Sequence, residues 1–444
     1  MILLINPPAY DFKAFDMWLS PYGLLSIASA LEKKGYEIKL FDFLDRFHPS
    51  VKKFSVKNSR QFGCGKFYSR EIEKPGIYKN IPRKYKKYGI PWEVFENEMK
   101  KIPAPDLILV TTLFTYWYPG AHDTLKRLRK IFPESKILLG GIYPIISKKH
   151  AEKYSGADLV IAERSIPGIV ETIEKIVPSP GNGKIPGFPI PDFSGYNELH
   201  HGSIMISTGC PFSCNYCSTP VLEKKMKWAN PEEIFDLVTC LYKEKAVIDF
   251  AFYDDALLYR AKEFLVPFLE KILNSGLKLR FHTPNALHCR FITAEIAEYL
   301  KKSGFTTIRL GLETVDLNIQ KKLGKKTSLE EFELAVINLK RAGFAPHQIG
   351  AYLLSGFPGM SISSLEQSIK SVHKCGVKSY IAQFSPIPGT PLGDEFLKNM
   401  LPSYPEDFDP LYTNNTYWWF RSEKYPEMEN LKLLSLELNR QLIR

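Results

Sequence analysis

Short aliphatic runs alternate with amphipathic stretches along nearly the whole chain, and this alternation restricts the fold more than any other feature. Residues 2–6 read as a buried strand, and 38–41, 107–110, 136–139 and 159–161 as further strands. Helical patterns lie between them. One carries the stripe Leu24, Ile27, Ala28, Leu31 and ends at Gly35, and others fall near 121–131 and 147–154. Strands alternating with helices predict an α/β chain with a parallel, doubly wound sheet, whose ligands sit at the carboxyl ends of the strands.

The second half repeats the alternation. Nine of the 18 residues from Pro178 to Gly195 are Pro or Gly, which marks 178–199 as a linker. Beyond it, strands are expected at 203–207, 247–252, 277–282, 306–310, 349–354 and 380–384. Ser328 and Glu331 form a capping-box pair ahead of the stripe Phe332, Ala335, Val336, Leu339. Six such repeats predict a partial (β/α)6 barrel with its active site at the carboxyl ends of its strands. The chain therefore divides into 1–177, the linker, a barrel over 200–394, and a small aromatic-rich unit over 395–444 that contains Tyr417, Trp418, Trp419 and Phe420.

Residues 47–104 interrupt the first unit and are too long for an ordinary connection, so an inserted subdomain or lid is expected there. Residues 51–100 hold 13 Lys/Arg against five Glu and no Asp, and so supply most of the net charge of +11. Such a block is most often a solvated face, although it would also suit a phosphorylated or lipid-phosphate substrate. Lys84, Lys86 and Lys87 are the residues singled out to test that idea. No apolar run approaches the roughly 18 residues that span a bilayer. The opening Met1–Ile5 lacks a basic leader and is broken by Asn6-Pro7-Pro8, so a cytoplasmic protein is expected.

The seven cysteines are an odd number in a large chain, which argues against a disulfide framework. Three of them crowd into Cys210-Pro211-Phe212-Ser213-Cys214-Asn215-Tyr216-Cys217, directly after the first barrel strand. Thiolates spaced CxxxCxxC can each take one corner of a cubic iron–sulfur cluster, leaving the fourth iron open. Structural zinc would need four closed ligands, and His201 could complete them only if the chain doubled back across the strand. His282, His288 and His347 lie near strand ends as acid–base candidates, though each reads more simply as a satisfied polar residue. Cys64, Cys240, Cys289 and Cys375 lack ligand spacing.

With these residues in place, the segment 200–392 resembles the radical S-adenosylmethionine (SAM) superfamily. The resemblance implies a 4Fe-4S cluster on Cys210, Cys214 and Cys217 whose open iron chelates SAM; reductive cleavage of SAM then yields a 5′-deoxyadenosyl radical. It also implies SAM contacts at Tyr216, at Asp254 or Asp255 of Phe252-Tyr253-Asp254-Asp255, at Asn285, at Glu313 and at Gly356. Asp255 is the better match for orienting the SAM amino group.

The amino-terminal unit resembles the Rossmann-like cobalamin-binding domain that precedes many such barrels. Asn6-Pro7-Pro8, Ser20–Leu25, Thr111-Thr112-Leu113 and, after 26 intervening residues, Gly140-Gly141 carry this resemblance. It implies cobalamin contacts at Pro8, Thr111, Thr112, Leu113, Gly140, Gly141, Tyr143 and Glu163. The Asp-x-His-x-x-Gly motif is missing, with no histidine before His48, so cobalt would bind without an imidazole from that loop.

Together the two resemblances imply a cobalamin-dependent radical SAM enzyme, most simply a methyltransferase acting on an unactivated carbon of a small-molecule or lipid-like substrate. An electron donor such as a flavodoxin or ferredoxin is implied as partner. A radical rearrangement, cyclisation or oxidation is the alternative enzyme, and a non-catalytic cobalamin or metal sensor the alternative of another class. An RNA methylthiotransferase would need three more clustered cysteines upstream, where only Cys64 stands, so nucleic acid is not an expected partner.

Overall fold

The computed structural model describes residues 1–324, 326–406 and 408–442, which form two compact units. The first comprises residues 1–200 and 403–414, and the second the remainder. The tail expected to form a third unit is instead divided between the other two.

In the first unit, strands β1 (Ile2–Asn6), β2 (Ile38–Asp42), β3 (Leu107–Val110), β4 (Lys136–Leu139) and β5 (Leu159–Val160) make a parallel sheet in the order 2-1-3-4-5. Successive residues of β1 feed opposite cores. Leu3 and Ile5 pack with Ile108, Val110, Ile137 and the helix Tyr118–Ile131. Ile2 and Leu4 pack with Leu107, Leu109 and the helices Tyr22–Lys33 and Ile166–Glu174. That period of two, buried on both faces, explains the continuous aliphatic runs. The strand order reverses between β1 and β3, and a doubly wound sheet opens its ligand crevice at the carboxyl ends beside such a reversal.

The basic insertion does not stand apart as a lid. Its residues Lys86–Tyr88 pair antiparallel with Ala9–Asp11 and with Ser69–Glu71, and Gly65–Lys66 pairs with Phe15–Asp16. Its helix Trp92–Met99 sends Phe95 and Met99 into the sheet core. Lys87 is buried, donating to the Ile90 carbonyl with its ammonium 5.2 Å from the Phe43 ring centroid and 5.0 Å from that of Trp92. Burial pushes that ammonium down to about 7. Lys87 is therefore a packing residue, and a charge reversal there would report on folding and not on a substrate. Lys84 pairs with Glu71 at 2.7 Å on the surface, the ordinary use of such charges.

The second unit carries six parallel strands in sequential order: β6 (Gly202–Ile204), β7 (Asp249–Phe252), β8 (Arg280–His282), β9 (Phe305–Glu313), β10 (Ile349–Ser355) and β11 (Lys378–Gln383). Helices follow β6 to β10 as expected, and the capping box at Ser328 and Glu331 forms with bonds of 3.0 and 3.2 Å. Phe252, Phe281 and Phe305 fill the interior, with Phe252 and Phe305 stacked 5.4 Å apart. Edge strand β11 is covered by the last helix, Tyr425–Gln441. There Asn439 both accepts from the Ser379 N–H (2.9 Å) and donates to its carbonyl (2.8 Å), satisfying groups that an open edge would expose. Among the described residues no helix is long and apolar enough to cross a membrane.

Candidate active site

The strand expected over 203–207 is split, and the split creates the site. The chain leaves the sheet after Ile204 because the buried carboxylate of Asp254, just beyond β7, captures the next amides. Asp254 accepts from the Ile206 N–H (3.0 and 3.1 Å), the Ser207 N–H (2.6 Å) and the Ser207 hydroxyl (2.8 Å). Ser207–Thr208 then pairs antiparallel with Lys227–Trp228, closing the neck of a loop that carries all three clustered cysteines. Gly209 opens the loop at φ +79°, where a Cβ would lie 3.2 Å from the Lys225 carbonyl. Burial pushes the Asp254 carboxyl up to about 7 against the pull of these hydrogen bonds.

Asp255 does something different. Its Oδ1 accepts from the Thr219 hydroxyl at 3.1 Å, and that oxygen accepts in turn from Cys217 Sγ at 3.4 Å. The Thr219 N–H also donates to Cys217 Sγ at 3.5 Å. Asp254 thus anchors the loop backbone, while Asp255 faces the cysteines through Thr219. Asn285, expected at SAM, donates to the carbonyls of Tyr253 (2.9 Å) and Asp254 (3.2 Å), holding the same turn.

Cys214 is buried, and Cys210 and Cys217 are half-buried. Burial pushes the Cys210 thiol up to about 11 and raises Cys214, with mutual repulsion adding to both. These thiols therefore stay protonated until a metal displaces the proton. Among the described residues, no three His, Cys, Asp or Glu side chains converge on a single-ion position. A cubic cluster instead holds its cysteines one to each corner, which one short loop with three thiols and no disulfide suits.

Beside Cys214 lies a partly buried ion pair. Glu313, which ends β9 at φ +66°, accepts from Lys326 Nζ at 3.1 Å and from the Tyr216 hydroxyl. A left-handed glutamate is strained, and it is held there by these two partners. Burial opposes the Lys326 charge, but Glu313 and Cys214 outweigh it and raise its pKa. Gly324, at φ +103°, brings this segment back so closely that a Cβ would lie 3.4 Å from the Cys214 Cα. Asn215 fastens it, donating from its side chain to the Lys322 carbonyl at 2.6 Å. Thr219, Gly324 and Lys326 escape the sequence reading because no motif spacing marks them; only the path of the chain reveals their place. Gly356 takes φ +81° just beyond β10 with no atom closer than 3.9 Å to its would-be Cβ.

The histidines separate cleanly. His282 is fully buried, bonded to Asp249 (3.0 Å) and Thr307 (3.0 Å), and is a satisfied core residue. His201 and His347 precede β6 and β10, at the strand ends opposite the cysteine loop. His288 alone reaches it, with Nε2 4.0 Å from Cys210 Sγ.

In the first unit, Pro8, Thr111, Thr112, Leu113, Gly140, Gly141 and Glu163 follow β1, β3, β4 and β5 at one edge of the sheet. Thr112 fixes the glycine turn: its hydroxyl donates to the Gly140 carbonyl (3.2 Å) and accepts from the Tyr143 N–H (3.0 Å). Gly141, at φ +94°, lies against the Thr112 backbone, where a Cβ would come within 2.4 Å. At Gly140 the nearest atom to an added Cβ is 4.0 Å away, so this side of the turn stays open. Tyr143 does not join that edge. Its ring is fully enclosed, stacked on Tyr118 at 5.2 Å, with its hydroxyl 2.6 Å from His150 Nδ1.

The radical SAM superfamily model matches residues 204–372. An uncharacterized methyltransferase of Pyrococcus horikoshii is 26% identical, covering 45% of this chain and 43% of its own. Bacteriochlorophyllide d C-12(1)-methyltransferase of Chlorobaculum tepidum is 23% identical, covering 58% and 59% respectively. The chain thus spans less than two thirds of either relative. Among solved structures, the radical SAM methyltransferase TsrM of Kitasatospora setae, with cobalamin and a [4Fe-4S] cluster bound, superposes with a TM-score of 0.66 at 14% identity over 94% of this chain and 81% of its own. At that identity the likeness establishes a shared α/β fold. The cysteine loop sits at the head of the matched segment, so the second unit carries the radical SAM superfamily match together with the three clustered thiols.

Proposed function

We propose that this protein is a cobalamin-dependent radical SAM methyltransferase that alkylates an unactivated carbon of a small molecule. The observation that carries the reading is the combination, in one chain, of the neck-closed cysteine loop with a 2-1-3-4-5 sheet whose glycine turn is locked by Thr112 and open at Gly140. The methyltransferases named above support it.

In this reading Cys210, Cys214 and Cys217 hold three irons of the cluster. Asp255, oriented by Thr219, receives the SAM ammonium, and Asn285 keeps its turn in place. Tyr216, Glu313 and Gly356 border the nucleoside, with Lys326 fixing Glu313. Pro8, Thr111, Thr112, Leu113, Gly140, Gly141 and Glu163 line the cobalamin edge; Tyr143 supports the turn from beneath through its backbone N–H. When bound, the cluster and SAM supply a hydrogen-abstracting radical and cobalamin supplies a methyl carrier. A flavodoxin- or ferredoxin-like donor would supply the electron.

Two uses of SAM give two products. Reconstituted enzyme given reductant and SAM is expected to form both S-adenosylhomocysteine and 5′-deoxyadenosine, measured by mass spectrometry. 5′-Deoxyadenosine alone would favour rearrangement, cyclisation or oxidation over methyl transfer. Neither product would point to a sensor.

A further inference from the structure

His288 is the one described histidine at the cysteine loop, and its surroundings admit a single role. The ring is 4% exposed and clasped by two phenylalanines: Phe212, from within the cysteine loop, at 4.6 Å and Phe291 at 6.1 Å. Nε2 points at Cys210 Sγ, 4.0 Å away. Nδ1 is fully buried and has no hydrogen-bond partner.

That asymmetry selects the tautomer. A proton on Nδ1 would bury an unsatisfied donor and turn the Nε2 lone pair toward the sulfur. A proton on Nε2 gives that nitrogen an acceptor, most effectively when Cys210 is a thiolate.

We propose that His288 is a positioning residue for the cluster, donating an Nε2–H hydrogen bond to the Cys210 thiolate and thereby raising the reduction potential of the cluster. The inference rests on Cys210 being a cluster ligand. Reduction adds negative charge that the sulfurs share, so a donor at one of them stabilises the reduced form more than the oxidised one. The clasp by Phe212 and Phe291 fixes the imidazole before any cluster arrives.

The test compares wild type, His288→Phe and His288→Gln after anaerobic reconstitution, with iron content measured first and then an EPR-monitored redox titration. His288→Phe keeps the aromatic contacts and removes the donor. It is expected to retain the wild-type iron content, while its reduced-to-oxidised ratio at a fixed potential falls about tenfold, or about 59 mV for one electron. His288→Gln, whose amide can take the place of Nε2–H, is expected to recover most of that loss. Full iron in His288→Phe with an unchanged titration would overturn the proposal. Independently of any variant, the reduced wild-type cluster with 15N-labelled histidine is expected to show a weak nitrogen coupling in pulsed EPR. No coupling would overturn the hydrogen bond, and a coupling as large as that of direct iron ligation would make His288 a ligand instead. A wild-type protein that takes up no cluster would overturn the cysteine assignment itself, and the proposal with it.

Discussion

Replacing any one of Cys210, Cys214 or Cys217 by alanine is expected to reduce SAM cleavage to the uncatalysed background while leaving the chain folded. Each thiolate holds one corner of the cluster, so its loss removes a third of the protein's grip and exposes a second iron. The fold does not depend on these sulfurs. The loop is closed at its neck by the Ser207–Thr208 and Lys227–Trp228 ladder and anchored by Asp254, and all seven cysteines are free thiols. Losing a side chain as small as that of cysteine costs on the order of 1 kcal/mol in stability. The readout is 5′-deoxyadenosine formation and the charge-transfer absorbance of the cluster, with Cys240→Ala as control. Cys240 lies exposed on the helix Pro231–Lys245, and its replacement is expected to change neither signal. A cysteine variant of the loop that still cleaves SAM would remove that residue from the ligand set.

The second large effect separates two neighbouring carboxylates. Asp254→Ala leaves the buried N–H groups of Ile206 and Ser207 without their acceptor, together with the Ser207 hydroxyl. Each orphaned donor costs about 1–3 kcal/mol, so a loss of about 3 kcal/mol and a Tm lower by about 6–12 °C are expected for a unit of this size. Asp255→Ala removes one acceptor from Thr219 and should leave Tm nearly unchanged while abolishing SAM binding. Thermal unfolding and SAM affinity, measured on both variants, settle the division of labour. Equal destabilisation by the two variants, or SAM binding intact in Asp255→Ala, would contradict it.

Much of this was legible from the residues alone. The five strands of the first sheet fall within one residue of their expected positions, most plainly the central strands β1, β3 and β4, whose buried aliphatic runs feed both faces of the sheet. The capping box at Ser328 was equally plain, since its chemistry is local. What failed was whatever depends on partners distant in sequence. The strand over 203–207 breaks because Asp254, 48 residues on from Ile206, outcompetes the sheet for its amides. The basic block reads as an inserted subdomain or lid, and the placing of Phe95 and Met99 in the sheet core and of Lys87 between aromatic rings is not visible in its composition. In the candidate site, the cysteine spacing was visible as a motif. The supporting residues Thr219, Gly324 and Lys326 act by position alone, His288 stood out only as one of three strand-end histidines, and Asp255 was preferred to Asp254 only through the family resemblance.

The most direct test of the whole account is cobalamin retention. The protein would be reconstituted anaerobically with iron and sulfide, incubated with hydroxocobalamin, passed through gel filtration and assayed for cobalt and iron. Near-stoichiometric cobalamin beside a full cluster is the predicted result, with loss of cobalamin but not of iron when Gly140, at the open side of the glycine turn, is replaced by a bulky residue. Protein that holds its cluster and cleaves SAM yet retains no cobalamin would contradict the account, and leave a radical SAM enzyme whose first unit serves another purpose.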